Sequence, residues 1–161
     1  MNEHALSDRL ASGGSYVHDQ ARLADIGSDH AYLPVALMLQ NKISYAVAGE
    51  VDEGPYRSAS KTVQKNRLGD SITVRLANGL AAILPEDQID TVVIAGMGGP
   101  LIRTILEEGQ AKQQLTSVKR LILQPNVGAW PLRAWLKDNG YQIIEEMSLS
   151  EYDKQYEFNV A

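Results

Sequence analysis

The chain has 161 residues, of which 44% are hydrophobic and 22% charged, and its formal net charge is −5. This length and balance predict a single soluble domain with a substantial core, spanning residues 1–161. No apolar run approaches the roughly 18–20 residues of a membrane helix, and the polar start predicts no signal peptide. The absence of cysteine excludes disulfides and thiolate metal sites and favours a cytoplasmic location. The acidic balance argues against unaided binding of nucleic acid.

The predicted elements begin with a short helix and continue as alternating strands and helices. The segment Ala5–Gly14 predicts a capping helix closed by Gly13 and Gly14, within an N-terminal helical cap of about residues 3–20. Five short, nearly continuous apolar runs follow, and such runs are typical of parallel strands buried on both faces. These predicted strands are Arg22–Ile26, Tyr45–Glu50, Ile72–Ala77, Thr91–Gly96 and Arg120–Gln124. Prolines near helix starts and glycines at helix ends mark the intervening helices, at Pro34, Pro55, Pro100, Pro131, Gly69 and Gly140.

The end of the chain departs from this alternation. Two strand-like runs, Tyr141–Ser148 and Gln155–Val160, have no helix long enough between them and therefore predict a hairpin. The whole pattern predicts an α/β fold: a Rossmann-like, mostly parallel seven-stranded sheet with an antiparallel C-terminal hairpin and helices on both faces. A class I methyltransferase ends in such a hairpin, whereas a dehydrogenase half-domain continues with a helix and a parallel strand.

Ligands of open α/β sheets bind outside the carboxyl ends of the strands, which directs attention to the loop in ADIGSDHAYLP. Gly27 permits a sharp turn there, and Asp25 can accept hydrogen bonds from the loop or from an ammonium group. The second and third glycines of a dinucleotide-binding turn are missing. Asp29 would place a carboxylate where a pyrophosphate sits, so a cationic cofactor without phosphate fits better. The alternative is that Asp29 only caps the helix that begins near Tyr32.

The next two strand ends carry polar groups that suit a nucleoside. Glu50 closes the second strand, where an acidic residue commonly binds ribose hydroxyls, although it could also be a solvated strand-end acid. Asn78 follows the third strand and could hydrogen-bond an adenine edge, or form a plain turn with Gly79.

The last two strand ends combine glycines with amides. Three glycines around Met97 would let a ligand approach the backbone closely, or would simply start a helix. Gln124 and Asn126 flank Pro125 and could recognise a base edge, or only satisfy local backbone groups.

Histidine and tryptophan give weaker signals. His4, His18 and His30 are too scattered to predict a metal site, so no metal is expected. Trp130 and Trp135 lie at helical spacing and are predicted to belong to the core, with base stacking as the alternative.

Together these loops resemble the bacterial tRNA (adenine-22-N1)-methyltransferase family, whose members use S-adenosyl-L-methionine. The resemblance covers the chain from Leu6 onward. It is specific because three motifs occur together, ADIGSDHAYLP, IAGMGG and LILQPN; any one of these motifs alone would be weak evidence for the family. The chain keeps Asp25 and Gly27 of the D-x-G-x-G-x-G pattern of class I methyltransferases, with Asp29 and Ala31 at the later glycine positions. The resemblance implies methylation of N1 of adenine 22 in tRNA.

The resemblance also assigns roles to residues. It implies that Asp25, Gly27 and Asp29 surround the methionine part of the cofactor, that Glu50 binds the ribose and that Asn78 lies by the adenine. The implied cofactor-binding residues, with their neighbours, are Asp25, Gly27, Ser28, Glu50, Val51, Asn78, Gly79, Gly96 and Met97. The implied residues beside the substrate base are Gly98, Gln124, Pro125 and Asn126.

The mechanistic hypothesis is alignment of the sulfonium methyl with adenine N1, followed by stabilisation of the cationic product by a carboxylate. The target adenine must be unpaired or flipped out for its N1 to be reached. Asp29 is the catalytic candidate, with His30 as an assisting group or a packing residue.

One departure concerns the partner. The family carries a helical C-terminal region thought to help hold tRNA, and this chain stops at Ala161, so that region is expected to be absent. We therefore expect this chain to bind tRNA weakly on its own, since phosphate contacts need lysine and arginine. No membrane association is expected, and the oligomeric state stays open. The alternatives are an NAD(P)-dependent oxidoreductase and a cofactor-binding module without activity of its own.

Overall fold

A computed structural model of the chain describes residues 1–151 and 154–160, with side chains described as far as residue 144. The strands are β1 (Ala21–Ile26), β2 (Ile43–Glu50), β3 (Ile72–Leu76), β4 (Thr91–Met97), β5 (Arg120–Pro125), β6 (Glu145–Glu151) and β7 (Lys154–Val160). The helices are α1 (Asp8–Ser15), α2 (Tyr32–Leu39), α3 (Glu53–Lys65), α4 (Gly99–Ala111) and α5 (Ala129–Asp138), with 3-10 turns at Gly79–Ala82 and Pro85–Asp87. No helix in this described part is long and apolar enough to cross a membrane.

The strands form one sheet in the order β3-β2-β1-β4-β5-β7-β6. The first five strands of that order pair in parallel, and β7 pairs antiparallel with both β5 and β6. The chain runs outward from β1 to β3 and then returns to the other side of β1 with β4. Strand order therefore reverses between β1 and β4, which is where such sheets bind ligands. The predicted Rossmann-like fold with its C-terminal hairpin is confirmed.

Helices cover both faces of the sheet because neighbouring residues of each central strand point to opposite sides. Leu23 and Val93 pack with α2 and α3 on one face, whereas Ala24 and Ile94 pack with α4 and α5 on the other. All four side chains are at most 2% exposed. This two-sided burial explains why the apolar runs show no alternation with polar residues.

The glycine pair in the first helix does not end it. Ser7 caps α1 by accepting a hydrogen bond from the Leu10 N–H at 3.3 Å, and the helix continues through Gly13 and Gly14. A Cβ at Gly14 would lie 3.1 Å from Leu33 Cδ1 of α2. The predicted role of this pair is wrong, because the helix continues through both glycines and Gly14 lets α1 approach α2 closely.

Two further predicted boundaries have different outcomes. Gly140 follows α5 with φ +83°, as a helix-ending glycine should. Gly69 does not end α3, because Arg67 occupies the left-handed position after that helix with φ +57°. The sixth strand begins at Glu145 and not at Tyr141, whose ring stacks on Trp135 with centroids 6.0 Å apart.

Two helical glycines offer a matched test of packing on this scaffold. A Cβ at Gly109 in α4 would overlap Leu80, whereas a Cβ at Gly54 in α3 meets no other described atom within 4 Å. Gly109→Ala is expected to lower the free energy of unfolding by about 1–3 kcal/mol through overpacking. Gly54→Ala should leave it unchanged or raise it by up to about 1 kcal/mol. Urea unfolding measures both, and equal effects would contradict the close contact at Leu80.

Candidate functional site

Two adjoining cavities open at the carboxyl edge of the sheet, on either side of Gly27. One, of about 200 Å³, is lined by residues that include Arg9, Asp25, Ser28, Asp29, His30 and Gly96. The other, of about 120 Å³, is lined by residues that include Gly49, Glu50, Val51, Asn78, Gly79 and Met97. The structure therefore brings every predicted cofactor-binding residue to one place. A larger cavity of about 620 Å³ lies elsewhere, around Leu84 and Gln113, and contains none of the predicted site residues.

The loop after β1 turns sharply under Gly27. This glycine has φ +73°, and its N–H donates to the Gly49 carbonyl of β2 at 2.9 Å. A Cβ at this position would meet the terminal methyl of the flexible Met97 side chain, which can move aside, so the positive φ is what favours glycine here. The turn leaves the start of the loop open to a ligand.

Asp29 does not cap the following helix. The N-cap of α2 is Ala31, with φ +58°, and in the described part of the chain no side chain hydrogen-bonds to this helix start. Asp29 lies two residues earlier, itself with φ +64°, and its side chain is 70% exposed. Its Oδ1 lies 3.9 Å from His30 Nε2. The capping interpretation is therefore wrong, and Asp29 lines the first cavity with a largely exposed side chain.

Asp25 and Glu50 form a pair of buried acids at the ends of adjacent strands, each 5% exposed. Burial raises the pKa of Asp25 to about 6, against the opposing effects of the Ser28 hydroxyl, which donates to its Oδ2 at 2.8 Å, and of the Arg9 charge. Burial and then the Asp25 charge raise the pKa of Glu50 to about 7, although the Asp29 N–H donates to it. Glu50 Oε2 has no hydrogen-bond partner among the described residues. The pair suits a ligand that carries hydroxyl donors and a positive charge.

Gln124 does not present its amide to a substrate. The residue is fully buried, and its Oε1 accepts hydrogen bonds from Arg9 Nη1 and from the Gly96 N–H, both at 3.0 Å. Its Nε2 donates to the Pro125 carbonyl at 3.1 Å and to Asn126 Oδ1 at 3.3 Å. The predicted contact between Gln124 and a base is contradicted, because all its polar atoms bind the chain itself. Its amide ties α1 to the ends of β4 and β5.

The other residues expected beside the substrate differ in exposure. Pro125 is buried at the end of β5, whereas Asn126 is exposed and its N–H donates to the Met97 carbonyl at 2.7 Å. Gly98 is half-buried at the start of α4. Only Asn126 and Gly98 of this predicted set therefore have surface that a substrate could reach.

Two residues at the site were missed from the sequence. Arg9 reaches the first cavity from α1, and no local motif signals this, because its partner Gln124 is 115 positions away. Tyr32 lines the same cavity and stacks on His30 with ring centroids 4.8 Å apart. The spacing of Tyr32, two positions after His30, could have suggested this stacked pair from the sequence.

The two tryptophans differ in environment. Trp135 is 5% exposed and packs in the core as predicted, whereas Trp130 is 71% exposed, so its core assignment is wrong. Five positions in a helix turn through about 500°, which places two side chains on different faces. The helical phase could have revealed this. Among the described residues no three His, Cys, Asp or Glu side chains come together as a metal site would require.

A family model described as tRNA (adenine(22)-N(1))-methyltransferase matches residues 23–161. The chain belongs to this family. It is 47% identical over all 161 residues to the tRNA (adenine(22)-N(1))-methyltransferase of Bacillus subtilis, and it spans 66% of that protein's length. The curated relative is thus about half as long again as the chain.

Solved structures agree with this membership. A Streptococcus pneumoniae protein solved in complex with S-adenosyl-L-methionine is 52% identical to this chain. The two structures match with a TM-score of 0.93 over 97% of this chain and 72% of the Streptococcus pneumoniae chain. The M. capricolum protein TrmK, solved with S-adenosyl-homocysteine, is 33% identical to this chain. The two structures match with a TM-score of 0.89 over 98% of this chain and 68% of the M. capricolum chain. These relatives lend no support to the oxidoreductase alternative.

The buried acid pair predicts an unusual dependence of stability on pH. The folded protein raises the pKa of Glu50 from 4.5 to about 7, so the unfolded chain loses this proton at a lower pH than the folded one. The resulting penalty on folding grows between about pH 4.5 and pH 7 and is fully present above pH 7. Glu50→Gln is therefore expected to raise the free energy of unfolding of the unliganded protein at pH 8, by on the order of 1–2 kcal/mol. At pH 4, below both pKa values, the gain should be nearly absent.

Urea unfolding at both pH values measures this difference. Glu108→Gln, on the exposed surface of α4, is the matched control and should have the same small effect at both pH values. A Glu50→Gln protein that is less stable than the parent at pH 8 would contradict the assigned penalty.

Proposed function

We propose that the chain is the cofactor-binding and catalytic part of an S-adenosyl-L-methionine-dependent methyltransferase that acts on N1 of adenine 22 in tRNA. The observation that carries the proposal is the buried pair of Asp25 and Glu50 at the ends of β1 and β2, next to the strand-order reversal. Glu50 Oε2 lacks a hydrogen-bond partner among the described residues. The family membership and the cofactor names of the solved relatives support it.

The residues present fit this cofactor. Glu50 Oε2, which lacks a partner among the described residues, would accept hydrogen bonds from the ribose hydroxyls. Asp25 would face the methionine ammonium group across the first cavity. Asn78 and Gly79 line the second cavity, where the adenine would lie. When bound, S-adenosyl-L-methionine supplies an activated sulfonium methyl group.

The same site disfavours a nicotinamide dinucleotide. Asp29 places an exposed carboxylate in the loop where a pyrophosphate would bind, and two buried acids lie beside it. A loop with this charge repels phosphate and attracts a cation. The absence of further glycines after Gly27 adds to this preference.

For catalysis, the chain needs to hold the adenine and to stabilise the charge that methylation creates. Adenine N1 carries a lone pair, so no prior deprotonation is required, and positioning is the main demand. Asp29 would stabilise the developing adenine cation from the mouth of the first cavity. His30, which stacks on Tyr32, would orient the Asp29 carboxylate.

The partner proposal is that tRNA binds weakly to this chain alone. Its net charge of −5 opposes association with a polyanion, since affinity for phosphate groups depends on lysine and arginine contacts. Rapid methylation of tRNA at low concentration by the 161-residue chain would contradict this proposal.

Nucleoside mass spectrometry tests the function directly. After incubation of the chain at high concentration with tRNA and methyl-labelled cofactor, the digest is expected to contain labelled 1-methyladenosine. A tRNA with guanosine at position 22 is the matched control and should give none. Absence of labelled nucleoside from both tRNAs would contradict the proposed function. Equal labelling of both tRNAs would contradict the assignment of adenine 22 as the methylated nucleotide.

Replacement of Asp29 separates catalysis from cofactor binding. Asp29→Ala is expected to lower kcat by about 100-fold or more, because the charge it would stabilise appears in the transition state. The Kd for S-adenosyl-L-methionine, measured by calorimetry, should change by less than about fivefold, which corresponds to about 1 kcal/mol.

Asp70→Ala, which removes an exposed acid just before β3, is the control and should change neither quantity. Equal losses of kcat and cofactor affinity in Asp29→Ala would instead assign Asp29 a role in cofactor binding.

A further inference from the structure

The exposed face of α5 combines one aromatic side chain with two basic ones. Trp130 is 71% exposed in the first turn, and Arg133 and Lys137 follow on the same side of the helix. With Ala134 and Asp138 they line a shallow groove of about 260 Å³. The groove thus carries two cationic groups and one acid, in a chain whose net charge is −5.

The groove follows a loop that contacts the candidate site, because the Asn126 N–H donates to the carbonyl of Met97, which lines the second cavity. The loop between β5 and α5 is fastened to the glycine-rich loop after β4, since the Gly99 N–H donates to the Val127 carbonyl at 2.7 Å. A Cβ at Gly99 would overlap the Gly128 backbone, so the two loops lie in direct contact. The first turn of α5, with Trp130, therefore follows directly from the edge where the substrate base would enter.

Packing of the helix does not require an indole at this position. Leu132, Trp135 and Leu136 bury the inner face of α5 in the core, each at most 5% exposed. Trp130 is 71% exposed in the same helix, so its ring is accessible at the surface. Exposed aromatic rings next to basic groups are the pattern by which proteins bind unstacked nucleotides.

We propose that this groove binds the RNA strand next to the target adenosine, with a neighbouring base stacked on Trp130 and phosphates near Arg133 and Lys137. The inference rests on the proposed function, because a target adenine removed from its stack leaves its neighbours exposed for stacking. Trp130 is a positioning residue here, since it holds the strand and does not touch the reacting atoms. The charge of the groove favours RNA over an apolar protein partner.

Tryptophan fluorescence tests the contact independently of methyl transfer. The chain has two tryptophans, and Trp135 is buried, so Trp130 dominates any change that a ligand causes at the surface. Titration with tRNA in the absence of cofactor is expected to quench this emission. In Trp130→Phe the quenching should disappear, while tRNA affinity measured by filter binding stays within about threefold, because phenylalanine also stacks.

Truncation and charge removal should have separable effects. Trp130→Ala is expected to raise the Kd and the KM for tRNA by roughly 5- to 100-fold, with kcat changed much less. Lys137→Ala should lower the slope of log affinity against log salt by about 0.7–0.9. Lys61→Ala, on an exposed part of α3, is the matched control and should leave that slope unchanged.

The outcomes distinguish this inference from the proposed function. Quenching that is lost in Trp130→Phe, with the expected order of the variants, supports the groove even if no methylated nucleoside forms. Absence of quenching at saturating tRNA, or equal effects of Lys137→Ala and Lys61→Ala, overturns it. Methyl transfer with an unchanged KM in Trp130→Ala would overturn the groove while leaving the proposed function intact.

Discussion

Burial of two carboxylates at neighbouring strand ends is the constraint around which the functional edge of this protein is built. Asp25 and Glu50 are held there by a parallel pairing that places β1 beside β2, and the chain supplies only partial compensation for their charges. The Ser28 hydroxyl and the Asp29 N–H reduce the cost without removing it. An arrangement of this kind lowers the stability of the unliganded protein and raises its affinity for a cationic ligand with hydroxyl donors.

Much of the fold follows from local sequence, because it depends on signals that lie close together in the chain. The buried strands are short apolar runs, and their ends carry the polar groups of the site. Asp25, Glu50 and Asn78 could therefore be placed at one edge of the sheet, because each lies at or just after the carboxyl end of a predicted strand. Helix ends were less predictable, since Gly14 serves the packing of α1 on α2 and Arg67 adopts a conformation usually left to glycine.

The parts that escaped prediction depend on contacts between distant segments. The position of Gln124 near a strand end suggested an exposed group that recognises a base. In the structure its side chain is buried, and its amide oxygen accepts hydrogen bonds from Arg9 and from the Gly96 N–H. Likewise, Trp130 and Trp135 belong to one helix but to different surfaces, a distinction that depends on which face the core covers. The helical phase places the two tryptophans on different faces, but local patterns do not show which face the core covers or which segment contacts Gln124. Those facts arise only when α1, β4, β5 and α5 are assembled.

The reach of Arg9 into the site has a practical consequence for how this domain is delimited. The family match begins at residue 23, so a boundary drawn there would discard α1. The shortened protein would also lose the first two residues of β1, Gln124 would lose one of its two donors, and Asp25 would lose its nearby positive charge. A tag fused to Met1, which also lines the first cavity, would crowd the same opening. The amino terminus is therefore part of the candidate site and a poor place for trimming or fusion.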